Sequence, residues 1–272
     1  MKKYPFFFQK RNWISFLMMP LFVFAQILLS AQTPSTIYLS VTLLKVAPEN
    51  QAEYEKFVAE TWKPVQQLRK QNGKIINWAL FKVHFKGQQD EYNYASATYY
   101  DSFDKTQDNE NWAELLKKIN PKADAPAIIA KTQKIRSTVR QNLYIKTETV
   151  GTTPPIPFKF AVIGFVKAKP GQIGEALKLE TNDWKPIHQT MLEAGQMVGW
   201  NVYSLVLPVG KEINHDYFTS NLFSSYEQVN VGSAYEAAFK KNGKDLQATV
   251  ERISKATDLI RRELLELVVG LN

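Results

Sequence analysis

The stretch Asp183–Trp200 reads DWKPIHQTMLEAGQMVGW, and the earlier stretch Thr61–Trp78 reads TWKPVQQLRKQNGKIINW. In both stretches, Trp-Lys-Pro is followed at the same distance by a glycine and then by a second tryptophan. A shift of 122 positions superimposes the two stretches and also aligns Lys45 with Lys167, Pro48 with Pro170, Glu53 with Glu175, Gln67 with Gln189 and Gly73 with Gly195. The simplest explanation is that the chain contains two copies of one unit.

Each copy shows the same order of predicted elements. A strand with apolar residues on both faces comes first, and an amphipathic helix follows it and stops near Gly73 or Gly195. Two strands joined by a glycine-containing turn come next, followed by a second helical region and a closing strand. The predicted ranges are 37–46, 75–85, 92–100, 109–137 and 140–146, and then 158–166, 197–207, 215–223, 233–261 and 263–269. The order βαββαβ is that of the ferredoxin-like unit.

A ferredoxin-like sheet carries helices on one face only, so the apolar residues of its other face need a partner. The second copy is the obvious partner. We therefore predict an α+β protein in which two tandem ferredoxin-like units pack sheet to sheet as an intramolecular pseudo-dimeric α/β barrel. The first unit spans residues 36–148, the Gly- and Pro-containing linker 149–157, and the second unit 158–272. The sequence leaves open whether the pair closes within one chain or swaps with another, and whether the protein is a homo-oligomer.

The second copy carries a run that is typical of a known group of proteins. Lys167-Ala168-Lys169-Pro170-Gly171-Gln172 is followed by Trp-Lys-Pro-Ile-His and by Gly-x-x-x-Gly-Trp. This run resembles uncharacterised exported bacterial proteins of the dimeric α/β-barrel superfamily, which includes antibiotic-biosynthesis monooxygenases and related stress-responsive and haem-degrading proteins. The resemblance covers nearly all of the chain after residue 31 and implies the barrel fold. Its haem-binding members use a histidine of the second helix, which neither copy has here.

Residues 1–31 have the composition of a secretory signal peptide. An apolar run, ISFLMMPLFVFAQILLSA, follows the basic residues Lys2, Lys3, Lys10 and Arg11, and the segment contains no acidic residue. The ending Leu29-Ser30-Ala31 fits a small-residue cleavage site. A retained membrane anchor is the alternative, but Pro20 and Gln26 inside the run favour cleavage. We expect a secreted or periplasmic protein that is cleaved near Ala31 and keeps no membrane span.

Composition excludes several classes of function. The chain has no cysteine, so disulfides, thiolate metal sites and cysteine nucleophiles are excluded. The formal net charge is +8, and removal of the four basic signal-peptide residues leaves about +4, too weak and dispersed for nucleic-acid binding. The histidines His84, His188 and His215 are not spaced as metal ligands, and no phosphate-binding loop or serine elbow occurs. We therefore expect no metal and no cofactor, and a small molecule as the partner.

Two residues of the second copy are catalytic candidates because they differ from the first copy. Helical periodicity places Glu180 near the centre of an apolar stripe and His188 at its flank, where Val58 and Gln66 stand in the first copy. One hypothesis makes them a proton-handling pair that lines one cavity. The alternative has Glu180 bonded to a buried Lys, Tyr or Trp and His188 half exposed.

Aromatic and polar residues supply the ligand-binding candidates. Trp184 and Trp200 occur in both copies, which favours packing of a proline-kinked helix on the sheet over contact with a ligand. Polar and aromatic side chains on alternate strand positions either line a pocket between the sheets or form a solvated face. These candidates are Asn201, Tyr203, His215, Tyr217, Thr219 and Tyr94.

Three functions are compatible with these patterns. The first is an exported protein that binds a small organic ligand or a partner between or beside its two sheets. The second is a cofactor-independent, oxygenase-like or isomerase-like enzyme that uses Glu180 and His188. The third is a structural or interaction module of the cell envelope. An enzyme requires Glu180 and His188 to face a common cavity, so the geometry of these two side chains separates the first function from the second.

Overall fold

The computed structural model describes residues 36–87, 89–107, 109–151, 158–211, 213–230 and 232–271. Its strands are β1 (Tyr38–Lys45), β2 (Asn77–Val83), β3 (Tyr94–Tyr100), β4 (Ser137–Val150), β5 (Phe160–Ala168), β6 (Gly199–Leu207), β7 (Tyr217–Phe223) and β8 (Thr257–Gly270). Its helices are α1 (Gln51–Phe57), α2 (Lys63–Gln71), α3 (Trp112–Ile119), α4 (Ala125–Ile135), α5 (Ile173–Leu179), α6 (Lys185–Glu193), α7 (Gly232–Lys241) and α8 (Leu246–Ala256). The predicted signal peptide, 1–31, lies outside the described residues.

The eight strands form one closed antiparallel barrel in the order β1-β3-β2-β8-β5-β7-β6-β4. The first copy contributes β4-β1-β3-β2, and the second copy contributes β8-β5-β7-β6 in the equivalent arrangement. The two copies join at two seams, where β4 pairs with β6 and β2 pairs with β8. Both seams are hydrogen-bonded, so neither sheet keeps a free edge. The predicted pseudo-dimeric α/β barrel is confirmed.

Alternation along the strands separates an inner from an outer core. Inside the barrel, apolar side chains of both copies meet in one cluster that includes Leu39, Phe81, Phe165, Phe218 and Leu265. On the outer face of each sheet, other strand residues pack against the helices, mostly those of the same copy. The ends of the last strands cross over: Val150 of β4 joins the outer core of the second copy, and Val269 of β8 joins that of the first. The strands are therefore covered on both sides, which is why their sequences are apolar at consecutive positions.

Each Trp-Lys-Pro motif lies where a helix widens by one residue. α1 continues into a π-helical turn, Val58–Trp62, and α5 continues into the equivalent turn Glu180–Trp184. The Lys63 amide donates to the Val58 carbonyl and the Lys185 amide to the Glu180 carbonyl. The next residue in each copy is a proline, which has no amide hydrogen, and α2 or α6 then resumes normal bonding. The bend or break expected at each proline is thus a single wide turn.

The structure corrects the predicted ends of two elements. The second helical region was expected to reach Arg261, but β8 begins at Thr257, which pairs with Ala168 of β5. Backbone bonding between strands overrides the local helical pattern there. In the first copy β4 extends to Val150, so residues 149–150 of the predicted linker belong to a strand, and 152–157 lie outside the described residues.

Candidate functional site

A cavity of about 610 Å³ lies inside the barrel. Its walls are mostly apolar side chains that the strands turn inward. At one end, where β1 and β2 begin and β4 ends, the lining residues Ile37, Asn77 and Lys146 are half-buried. Towards the other end, Asn142 and Tyr144 are almost fully buried. The cavity lining is therefore more exposed at the first end than at the second, and the cavity volume suits a small organic molecule.

The polar lining residues are concentrated at one of the two seams. Asn142, Tyr144 and Lys146 alternate along β4, and Asn201 and Tyr203 line the cavity from the neighbouring strand β6. The opposite seam presents mainly apolar lining residues, which are Ala79, Phe81, Leu265, Leu267, Val268 and Val269. Because the two copies descend from one unit, they have diverged to give the cavity one polar and one apolar wall.

A chain of hydrogen bonds lies at the more buried end of the polar seam. Asn142 Nδ2 donates to the Tyr144 hydroxyl at 3.0 Å, and that hydroxyl lies 2.9 Å from Nε2 of His215. Nδ1 of His215 lies 3.0 Å from Asn214 Oδ1, an acceptor, so Nδ1 carries the proton and Nε2 accepts from Tyr144. Burial lowers the pKa of His215 to about 4, which keeps the ring neutral. Asn142 Oδ1 is buried and accepts no hydrogen bond from the described residues.

Glu263, in the middle of β8, is an acidic residue of the cavity wall. Its Oε1 accepts from Lys86 Nζ at 2.9 Å, from the Tyr92 hydroxyl at 2.6 Å and from Arg261 Nε at 3.1 Å. Arg261 also lies over the Phe165 ring at 4.0 Å. Two cations therefore balance one buried carboxylate, so the charge of Glu263 does not leave the cavity negative.

The half-buried end of the polar seam combines a lysine with two tyrosines. Lys146 of β4 is directly opposite Tyr203 of β6, and the hydroxyls of Tyr203 and Tyr99 are hydrogen-bonded to each other. All three side chains line the cavity. Burial lowers the pKa of Lys146 to about 8 and raises the pKa of both tyrosines. This end thus offers an amine and phenolic hydroxyls next to an apolar space.

Glu180 is the first residue of the π-helical turn and lies outside the barrel, with its side chain towards Tyr217 on the outer face of β7. It is 5% exposed and accepts a hydrogen bond from the Tyr217 hydroxyl at 3.1 Å. Burial raises the pKa of Glu180 to about 7, against the opposing effect of this hydrogen bond. The bond to a buried tyrosine agrees with the alternative interpretation of Glu180.

His188 lies in the same outer core but is fully enclosed, not half exposed as the alternative interpretation expected. Its ring stacks on Trp200 with 4.7 Å between the ring centroids and on Trp184 with 6.0 Å between them. Nδ1 is buried and has no hydrogen-bond partner in the described part of the chain. Burial lowers the pKa of His188 to about 3, so the ring is neutral. Neither His188 nor Glu180 is among the residues that line the barrel cavity.

The structure divides the predicted ligand-binding residues between the two cores. Asn201 and Tyr203 line the barrel cavity. Trp184, Trp200 and Tyr217 belong to the outer core of the second copy, and Tyr94 belongs to that of the first, where its hydroxyl donates to Glu55 at 2.6 Å. Thr219 is half-buried on the same outer face of β7, and His215 contacts the cavity wall through Tyr144. The odd-numbered positions of β7 that hold Tyr217 and Thr219 face the helices.

Several cavity residues were not singled out from the sequence: Tyr99, Asn142, Tyr144, Lys146 and Glu263. In β4 the available signal is the alternation of Asn142, Tyr144 and Lys146 over five residues. A half-buried strand with a solvated face produces the same alternation, because sequence does not show which face closes a barrel.

Metal and haem do not fit the described residues. They contain no group of three or more His, Asp or Glu side chains that could hold a metal ion. His84 Nε2 lies 2.8 Å from Glu266 Oε2, and both ring nitrogens of His215 are within hydrogen-bond distance of Tyr144 or Asn214. His188 is enclosed by aromatic rings, so no histidine presents a nitrogen to the cavity. Across the described ranges, no helix has both the length and the apolar character that a bilayer span requires.

Comparison with known proteins establishes the fold. No family model and no curated protein sequence matches the chain. The structure of a candidate monooxygenase from Fusobacterium nucleatum superimposes with a TM-score of 0.53 and 10% identity, over 88% of this chain and 94% of that chain. A candidate chlorite dismutase superimposes with a TM-score of 0.48 and 12% identity, over 86% of this chain and 96% of that chain. A haem-binding protein from Thermus thermophilus superimposes with a TM-score of 0.46 and 7% identity, over 85% of this chain and 92% of that chain. The resemblance to the dimeric α/β-barrel superfamily is confirmed as a fold.

Proposed function

We propose that this protein is a carrier or receptor that binds a small organic molecule inside its barrel. The single observation that carries the proposal is the cavity of about 610 Å³ between the two sheets. A barrel core with no ligand to bind is normally filled by its own side chains at the density of an organic crystal. Here four alanines, Ala79, Ala95, Ala97 and Ala161, face the space and leave it unfilled.

The chemistry of the lining supports binding of a mainly apolar molecule. The apolar wall removes the ligand's hydrocarbon surface from water, at about 25 cal/mol per Å² of apolar surface buried. The few polar groups at the β4–β6 seam would orient the ligand, since an unpaired polar group in such a space is costly. The location of Glu180 and His188 outside this cavity favours binding over the enzymatic alternative.

The test is a fluorescence titration of the full-length protein with 1-N-phenylnaphthylamine, a neutral dye that brightens in apolar surroundings. We expect saturable binding by the wild type. Ala97→Phe places an aromatic ring in the cavity from the centre of β3, and it should weaken binding about tenfold or more. Ala161→Phe fills the same space from β5 and serves as a second variant.

The matched control is Ala130→Phe on the exposed face of α4, which should bind the dye like the wild type. Thermal unfolding checks that each variant is folded. Equal dye affinity in a folded Ala97→Phe or Ala161→Phe variant would place the dye elsewhere and contradict the proposal, as would the absence of saturable binding by the wild type.

We propose that this binding takes place outside the cytoplasm. The support is the predicted signal peptide of residues 1–31, with its basic start, apolar run and small-residue end. Expression of the full chain in a bacterial host, followed by fractionation and N-terminal sequencing, tests it. The expected product begins near Gln32 in the periplasm or the medium, and an intact N-terminus in the cytoplasm would contradict export.

A further inference from the structure

The two copies differ at one pair of equivalent positions in the cavity wall. In the first copy Ala79 of β2 pairs with Ala97 of β3, and both residues line the cavity. The repeat, with one residue inserted between the two strands, places Asn201 and Ser220 at these positions in the second copy, where they pair between β6 and β7 and also line the cavity. The same cross-strand pair is therefore apolar in one copy and polar in the other. The fold itself does not require the polar residues, because alanines occupy these positions in the first copy.

This polar pair, Asn201 and Ser220, is buried and keeps unused hydrogen-bonding groups. Asn201 is 8% exposed and Ser220 is 5% exposed. Asn201 Oδ1 accepts from Thr149 Oγ1 at 2.9 Å, which leaves the Asn201 Nδ2 group to donate elsewhere. Within the ranges that the structure describes, neither Asn201 Nδ2 nor Ser220 Oγ makes a hydrogen bond. A buried polar group without a partner is unfavourable, so two such groups in the wall of an apolar cavity indicate that the ligand supplies the partner.

The two unused groups can donate to one oxygen atom of a ligand. Residues directly opposite each other in an antiparallel ladder have Cβ atoms about 4.5–5.5 Å apart, so Asn201 Nδ2 and Ser220 Oγ can reach the same atom. The amide Nδ2 is only a donor, and the serine hydroxyl can donate as well. A carbonyl oxygen has two lone pairs and can accept both bonds. Neither donor is charged, so a neutral carbonyl suits the pair better than a carboxylate, whose burial costs more.

Apolar residues surround the polar pair inside the cavity. Ile163 of β5 pairs with Ser220, and Leu222 is the next inward-facing residue of β7. The barrel order places β2 and β3 opposite β6 and β7, so the equivalent alanines of the first copy face the polar pair across the cavity. A carbonyl group bound by the pair therefore leaves the rest of a ligand against apolar walls. These walls supply most of the affinity, and the two hydrogen bonds fix the orientation.

From this arrangement we infer that the ligand of the barrel carries a neutral carbonyl group, whose oxygen accepts hydrogen bonds from Asn201 Nδ2 and Ser220 Oγ. This inference rests on the proposed function, because it concerns the ligand of the same cavity. It names the ligand by its chemistry: a mainly apolar ketone or ester that fits about 610 Å³. Asn201 and Ser220 are then the residues that distinguish such a molecule from a hydrocarbon of the same shape.

Two competitors of the same shape test the inference. 2-Acetylnaphthalene carries a carbonyl oxygen where 2-isopropenylnaphthalene carries a methylene group, and each is used to displace 1-N-phenylnaphthylamine from the full-length protein. Asn201→Ala and Ser220→Ala each introduce the residue that the first copy has at the equivalent position. We expect each variant to bind the ketone about fivefold more weakly, as the loss of one hydrogen bond predicts. The affinity for the alkene should change less than twofold.

Asn72→Ala is the matched control, since it removes an exposed amide after the last residue of α2 and should leave both affinities unchanged. The infrared spectrum of the bound ketone, isotope-labelled at its carbonyl carbon, is a second measurement that needs no variant. A hydrogen-bonded carbonyl absorbs at a lower frequency than the same ketone in a hydrocarbon solvent.

Three results overturn the inference while saturable dye binding keeps the proposed function. They are a ketone that does not displace the dye, folded variants in which ketone and alkene affinities change in parallel, and a carbonyl frequency equal to that in the hydrocarbon solvent. Absence of saturable dye binding by the wild type overturns both the inference and the proposed function.

Discussion

The hydroxyl of Tyr217 donates to Glu180 Oε1 at 3.1 Å, between the outer face of β7 and the π-helical turn that precedes Pro186. This bond holds a carboxyl group in an apolar core, where the first copy has Val58. It explains how the second copy tolerates an acidic residue on the buried side of its helix. One hydrogen bond offsets only part of the cost of burying the charged form, and the raised pKa of Glu180 follows from the remainder.

The first prediction concerns Glu180 and pH. Because the folded pKa is about 7 and the ordinary value 4.5, the folded state binds the proton more tightly than the unfolded chain. The contribution of protonated Glu180 to the free energy of unfolding is fully present below pH 4.5 and is lost as pH rises through 7. Glu180→Gln keeps an acceptor for Tyr217 and cannot ionise. Relative to wild type, we expect its free energy of unfolding to rise by about 1–3 kcal/mol between pH 4 and pH 8.

Urea unfolding at both pH values measures this difference. Glu175→Gln, an exposed carboxylate on the same helix, is the control and should show no such change. A pH-independent difference between Glu180→Gln and wild type would mean that Glu180 is not buried as the structure shows.

The second prediction concerns His188, whose Nδ1 has no hydrogen-bond partner among the described residues and whose pKa burial lowers to about 3. A lowered pKa gives stability that is present above pH 6.5 and lost as pH falls towards 3. His188→Phe keeps the stacking on Trp200 and removes the unsatisfied nitrogen. We expect a gain of about 1 kcal/mol in unfolding free energy at pH 7, and a larger gain at pH 5.

His188→Gln separates the two effects, because glutamine does not titrate but keeps polar atoms in the core. At pH 7 we expect no gain in the unfolding free energy of His188→Gln over wild type. Between pH 7 and pH 5 the unfolding free energy of His188→Gln should rise relative to wild type, as it does for His188→Phe. Loss of stability in the phenylalanine variant at both pH values would show that the nitrogen has a partner.

The third prediction concerns the pH dependence of ligand binding. Lys146 lines the cavity, and burial lowers its pKa to about 8, so it loses its positive charge between pH 7 and pH 9.5. Tyr99, Tyr144 and Tyr203 also face the cavity, but burial raises the pKa of each, and they stay neutral over this range. A neutral dye held by apolar contacts does not depend on this charge, so the affinity for 1-N-phenylnaphthylamine should change less than twofold between pH 7 and pH 9.5. A tenfold change in a protein that stays folded would contradict binding by the apolar wall.

The fourth prediction concerns an ion pair in the first copy. Arg69 is 3% exposed, its Nε lies 2.6 Å from Glu110 Oε2, and its guanidinium lies over the Trp112 ring at 4.8 Å. Glu110→Gln leaves a buried guanidinium without its carboxylate, so we expect a loss of about 3 kcal/mol in unfolding free energy. Glu53→Gln breaks the exposed pair with Lys131 and should cost under about 1 kcal/mol. Urea unfolding measures both losses, and equal losses for Glu110→Gln and Glu53→Gln would contradict the difference in burial between the two ion pairs.

The architecture could be predicted from the sequence because duplication is visible in the chain itself. Two Trp-Lys-Pro motifs 122 residues apart, each inside the same order of elements, fixed the unit and its repetition. Apolar residues on both faces of β1 and β5 then required a second covering layer, and the other copy was the nearest one available. These are local patterns and short-range periodicities, which the chain carries wherever it is folded.

Only the tertiary structure decided which faces meet and which groups become partners. The alternation of side chains along β7 can be seen in the sequence, but the pairing register decides whether Tyr217 or Phe218 faces the barrel. A shift of one residue would turn every side chain of the strand to the opposite face. Lys146 becomes a cavity residue because β4 crosses to the second copy and pairs with β6, which no local pattern encodes. Burial then sets the pKa values of Glu180 and Lys146, since a charge loses its hydration only where the chain as a whole excludes water.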